Sequence, residues 1–131
     1  MRNASAGFIV VEGPIGVGKT TLAKKLANSL GHKVYLEEYK QNPFLENFYS
    51  NVEKYALSTQ LFFLLQRAKD FNKSKINNFK TNIVSDFFIQ KDKIFAQAIL
   101  NDKEFNLYLD ISNSLDIFLP RPDLVIYLQA D

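Results

Sequence analysis

One stretch, Gly13-Pro14-Ile15-Gly16-Val17-Gly18-Lys19-Thr20, narrows the folds open to this chain more than any other feature. It meets the spacing G-x-x-x-x-G-K-[ST] of a phosphate-cradling loop. From average residue usage, a chance match in a chain of this length is on the order of one in a few hundred. The flanks carry the same message. Phe8-Ile9-Val10-Val11 is a continuous β-branched and aromatic run, the pattern of a strand buried on both faces of a parallel sheet. Leu22, Leu26 and Leu30 then recur at i, i+4 and i+8, with Ala23 and Ala27 beside them and Gly31 placed to end a helix. In a strand, glycine turn and helix of this kind, backbone amides and the positive end of the helix point at an anion. Gly13, Pro14, Ile15, Gly16, Val17, Gly18, Lys19, Thr20 and Thr21 are therefore the expected contacts for ATP. Lys19 is placed to bridge the β- and γ-phosphates, and the Thr20 hydroxyl to hold Mg2+.

The remaining pattern alternates strands with helices. Val34-Tyr35-Leu36 reads as a second strand, and Asn42-Pro43 as the N-cap and first residue of a short helix. A long helix is expected from about Glu53 to Lys69, with Leu57, Leu61, Leu64, Leu65 and Ala68 on one side. Lys69 to Asn82 is polar, a helix end and solvated loop. Ile83-Val84-Ser85 is the third strand. Ile94, Phe95, Ala98 and Ile99 suit one helix, and Leu107, Ile111, Leu115 and Phe118 another. Pro120 and Pro122 break the chain before a fourth strand, Leu124 to Leu128. This order specifies a single α/β domain over residues 1–131 with a mainly parallel sheet.

Composition sets limits. A net charge of +2 does not call for a nucleic-acid partner, and the apolar runs are too short for a membrane span or signal-peptide core. The chain has no Cys and one His, which argues against disulfides and a protein-only transition-metal site and fits the cytoplasm.

In open α/β sheets ligands sit outside the carboxyl ends of the strands. The second strand runs into Glu37-Glu38 and the third into Asp86, so both carboxylates are expected at the crevice that holds the phosphate loop. Either can accept a proton from an attacking hydroxyl or hold magnesium; Asp86 can equally be a helix N-cap. Gln60 and Arg67 lie seven residues apart, nearly on one helix face, and a glutamine can pair with the edge of a base.

Together these residues resemble the deoxynucleoside kinase family, in particular its bacterial deoxyguanosine and deoxyadenosine kinase branch. The stretches that carry the resemblance are Glu12 to Thr21, Glu37 with Asn42-Pro43-Phe44, Tyr49 with Gln60 and Arg67, and Ser85-Asp86 with Asp92 and Phe95-Ala96. The resemblance implies a three-layer α/β sandwich of the P-loop nucleoside triphosphate hydrolase type. It also implies ATP-dependent phosphorylation of a deoxynucleoside 5′-hydroxyl in nucleotide salvage, with deoxyguanosine or deoxyadenosine favoured and a homodimer open. By this resemblance Glu37 contacts the 5′-hydroxyl and acts as base, a role also given to Asp86. Tyr49 binds the 3′-hydroxyl, Gln60 pairs with the base, Arg67 and Asp92 form a charged pair beside it, and Phe95 stacks on it.

The chain departs from the family pattern in two places. Phe87 stands where the family motif has Arg, a mark of the bacterial branch that keeps this position in the substrate-binding set. The family also continues past its fourth strand into an Arg-rich lid and a last strand, whereas this sequence reaches only Asp131. A chain without that lid is expected to turn over little. A catalytically silent nucleotide-binding fragment, or another nucleotide kinase of the same fold, is the alternative.

Overall fold

The run Phe8–Glu12 forms β1, and all five of its residues are buried. Such a strand needs cover on both faces, which a parallel sheet provides. In the computed structural model, which describes residues 7–14, 16–71, 82–115 and 121–129, four strands pair in the order β2-β3-β1-β4, every pair parallel. They are β1, β2 (Lys33–Tyr35), β3 (Ile83–Ser85) and β4 (Leu124–Tyr127). Ile15, the polar stretch 72–81, Phe118 and Pro120 lie outside the described residues.

Two compact units emerge. The sheet unit comprises the described residues through Glu37 with 82–88 and 121–129, and the helical unit comprises 38–71 and 89–115. In the sheet unit, α1 (Lys19–Leu30) covers the sheet through Ala23 and Ala27, which share a core with Ile9, Val11 and Val84. The leucine stripe expected on α1 is off-centre. Leu22 and Leu26 flank this core and Leu30 is 48% exposed, so the small alanines sit at the contact. Gly31 ends the helix at φ 70°, with His32 N–H donating to Ala27 O at 2.8 Å. The second strand begins and ends one residue earlier than expected, which leaves Leu36 beyond it, packed against the core. The register aligns Val10 with Ser85 and Val125, and Tyr35 with Ser85, so the carboxyl ends of all four strands share one edge.

The helical unit holds α2 (Leu45–Ser50), α3 (Val52–Asp70), α4 (Lys91–Ile99) and α5 (Asp102–Ser114). Its core is Ala56, Leu64, Ala96, Leu100 and Tyr108. Caps fix two starts. Asn51 accepts from Lys54 N at 3.2 Å, and Asn101 with Glu104 closes a reciprocal capping box. The helix expected to start at Asn42-Pro43 begins at Leu45 instead. Asn42 accepts from Phe44 N in a local side-chain turn upstream, and a turn of 3-10 helix (Tyr39–Gln41) precedes it. Leu65, expected on the apolar side of α3, is 54% exposed, while the polar Thr59, Gln60 and Arg67 are buried. Among the described residues, no helix is long and apolar enough to cross a membrane.

The far strand reaches into the glycine turn. Gly13 adopts φ 151°, and a Cβ there would lie 2.6 Å from the Leu128 carbonyl oxygen. Gly13→Ala therefore lowers the unfolding free energy by about 2–4 kcal/mol, from backbone strain and overlap together. Gly16→Ala, whose Cβ meets nothing within 4 Å at φ 82°, should cost only about 1 kcal/mol. Denaturant titration of both variants checks the order; equal losses would show that the approach to Leu128 is not felt.

Candidate functional site

The site in the sheet unit is built where β1 gives way to α1. Gly16 and Gly18 take positive φ, the backbone conformation from which anion-binding nests of amides are built. Gly18 also stands at the N-cap of α1, and no side chain caps that helix start. Among the described residues, the first turn also carries no acidic side chain. Its amides and dipole remain available to an anion.

Glu12 closes β1 and is 8% exposed. Its Oε1 accepts from Gly13 N at 2.8 Å and lies 3.9 Å from Lys19 Nζ. The carboxylate thus fixes the first amide of the loop and draws the lysine over it. Sequence reading gave Glu12 no role of its own. The available signal was a charge ending an otherwise apolar strand.

Asp86 draws three elements together. Its Oδ2 accepts the Thr20 hydroxyl at 2.5 Å, a short charge-assisted bond, and its Oδ1 accepts Glu37 N–H at 2.9 Å. The turn that holds Asp86 is fixed by Ser85, whose fully buried Oγ donates to Phe87 O at 3.1 Å and accepts from Phe87 N at 3.3 Å. Phe87 packs its ring on Tyr35, centroids 5.4 Å apart. Glu37, Asp86, Thr20 and the glycine loop are therefore adjacent, the expected convergence at the strand ends.

In the helical unit, Arg67 is 4% exposed and its Nε donates to Asp92 Oδ2 at 2.7 Å; its guanidinium carbon lies 5.7 Å from the Phe63 ring centre. Burial pushes the Asp92 carboxyl above its usual range, against the opposing pull of Arg67. Both line a cavity of about 450 Å³ with Leu64, Ile89, Gln90 and Tyr108 among the other walls. Burial first, and the Asp92 charge second, push the Tyr108 hydroxyl up to about 12. Gln60 is buried on α3, about two turns before Arg67. Tyr49 and Phe95 are 74% and 55% exposed, so neither fills a core. Tyr108 is the second residue that sequence reading passed over, because a tyrosine within a helical apolar pattern reads as ordinary packing.

Comparison with known proteins gives the family. Residues 9–131 match the deoxynucleoside kinase family. A deoxyguanosine kinase of Bacillus subtilis (strain 168) is 35% identical over 128 residues, an alignment covering 96% of this chain and 62% of that protein. A deoxyadenosine kinase of Dictyostelium discoideum is 34% identical, with 98% and 54% covered. Among solved structures, deoxyadenosine kinase from M. mycoides with the products dCMP and a flexible dCDP bound superposes with a TM-score of 0.73 at 27% identity, covering 95% of this chain and 65% of that one. The chain thus spans less than two thirds of the length of these relatives.

The Arg67–Asp92 pair carries a pH signature. A carboxyl raised in the folded state favours folding most below the ordinary carboxylate pKa, and that contribution is lost as pH rises through the raised value. Arg67→Met removes the charge that holds Asp92 down, so Asp92 should titrate still higher. The variant should lose more stability than the parent between pH 4 and pH 7. Urea titrations at both pH values test it; parallel curves would mean that Asp92 does not feel Arg67.

Proposed function

The chain belongs to the deoxynucleoside kinase family, and from that premise we propose that it acts in the ATP-dependent phosphorylation of the 5′-hydroxyl of a purine deoxynucleoside. The observation that carries this reading is the bridge from Thr20 through Asp86 to Glu37, set beside a helix start left open to an anion.

The loop amides and Lys19 bind the triphosphate. As phosphate oxygens approach, Lys19 shifts its charge from Glu12 toward them, and the amides of the first turn of α1 follow charge spread over the transferring group. The Thr20 hydroxyl and Asp86 carboxylate are hard oxygen donors at the mouth of the loop, the donor set that suits magnesium. Magnesium bound there would neutralise phosphate charge.

Two carboxylates compete for the role of base, and their hydrogen bonds favour different tasks. Both Asp86 oxygens accept hydrogen bonds within the sheet unit, which occupies that group as a holder. Glu37 has its backbone pinned by Asp86, so its side chain starts from a fixed point at the strand ends. We assign Glu37 as the acceptor of the 5′-hydroxyl proton. Gln60 reads the base edge, the Arg67–Asp92 pair supports the pocket beside it, Tyr49 meets the sugar 3′-hydroxyl and Phe95 offers a stacking face. Phe87, packed on Tyr35, shapes the wall near Asp86.

The reading is tested by incubating the protein with ATP, magnesium and each deoxynucleoside and separating the products by chromatography. The expected product is a deoxynucleoside 5′-monophosphate, with purines preferred. Glu37→Gln should lower kcat by a factor of about 10²–10⁴ while the protein stays folded. Unchanged turnover in that variant would remove Glu37 from the proton path. A second variant isolates the loop. Lys19→Ala should lose most affinity for an ATP analogue in calorimetry, because a full positive charge at the β- and γ-oxygens is gone. Retained affinity would refute the cradle.

A further inference from the structure

Asn42 lies in the helical unit, ahead of α2, and is 4% exposed. A buried carboxamide must place both of its ends, and Asn42 does so. Its Oδ1 accepts from Phe44 N at 3.0 Å, which turns the chain toward α2. Its Nδ2 donates to Thr59 O at 3.1 Å, in the middle of α3. That carbonyl already faces along the helix, and its second lone pair takes the outside donor.

The place of that bond matters. The Thr59 carbonyl and the Gln60 amide belong to one planar peptide unit, so a hand on the carbonyl is a hand on the backbone of Gln60. At its other end the same carboxamide sets the approach to α2, which carries Tyr49. The edge-on contact of Phe44 with Phe62, centroids 6.5 Å apart, also joins the two segments. An apolar contact of that kind resists separation but tolerates sliding. The Asn42 hydrogen bond is directional and buried, unlike the exposed 3.3 Å bond from Gln66 to Gln41 that also spans the two segments, and it fixes position along α3.

We propose that Asn42 is a positioning residue for deoxynucleoside recognition, holding the Gln60 peptide and the start of the Tyr49 helix at a set spacing. This rests on the reading of Gln60 and Tyr49 given above. The residue type follows from the task. Aspartate supplies the acceptor for Phe44 N but has no donor for Thr59 O and brings a charge against that carbonyl. Serine is too short to reach both, and glutamine adds a torsion that loosens the span. Small displacements of a recognition group have large effects on binding and rate.

The test is a cycle of four proteins: the parent, Asn42→Asp, Gln60→Ala and the double variant. Calorimetry gives the Kd of each for the better-bound purine deoxynucleoside and for an ATP analogue. Asn42→Asp should weaken deoxynucleoside binding about tenfold, leave the ATP analogue within about twofold, and add nothing once Gln60 is already alanine. A purely structural brace gives another pattern. It weakens both ligands alike, or by the same factor with and without Gln60, and either result overturns the proposal. No change in Gln60→Ala alone would show that Gln60 does not read the base, and the proposal falls with its premise. Should Asn42→Asp fail to fold, Asn42→Ser, which introduces no charge, is measured at low temperature against the same outcomes.

Discussion

The carboxylate of Asp86 organises the edge of the sheet where the chemistry is expected. Three segments far apart in sequence meet on it: the first turn of α1 through Thr20, the end of β2 through Glu37, and its own turn after β3. Parallel strands make such a meeting possible, because every strand ends at the same edge. They do not make it rigid. Rigidity of the backbone there comes from Ser85, fully buried, whose Oγ bonds across Asp86 to both the carbonyl and the N–H of Phe87. A phosphate loop by itself is a generic device. Asp86 joins it to the end of β2, where Glu37 brings a second carboxylate.

The two units use charge in opposite ways. In the sheet unit the acids sit beside hydrogen-bond donors and a lysine, at the rim of the glycine loop. In the helical unit Asp92 sits in a place where burial outweighs its partner, and Tyr108 holds its proton beside it. The second arrangement keeps the cavity wall polar while limiting its net charge.

Periodicity and turn chemistry made the architecture readable in advance, down to the glycine that ends α1 and the long helix that carries Gln60 and Arg67. Periodicity failed where helix faces had to be chosen. Leucines mark an apolar helix but do not say which residues touch the neighbour, and the sheet takes Ala23 and Ala27 because a close approach needs small side chains. On α3 the pattern pointed to Leu65, whereas Thr59, Gln60 and Arg67 are buried, and no propensity scale places polar residues inside. Asp86 and Glu37 were legible because strand ends are a rule of the fold. The partnership of Glu12 with Lys19 was less so, since it depends on where a side chain turns after the strand.

The close approach of Leu128 to Gly13 has a consequence for the order of events during synthesis. The glycine turn lies near the start of the chain, yet its first residue is shaped against the end of β4, where Leu128 N–H also donates to Glu12 O at 2.8 Å. The opening of β1 is tied across the same distance, with Phe8 N–H bonded to Asp123 at a separation of 115 residues. Contacts so remote carry a large loop-closure cost and form late. The nascent chain therefore emerges with its phosphate loop already made but not yet seated. The turn at Gly13 can take its final shape only after the segment that carries β4 has been made, long after the residues of the turn itself.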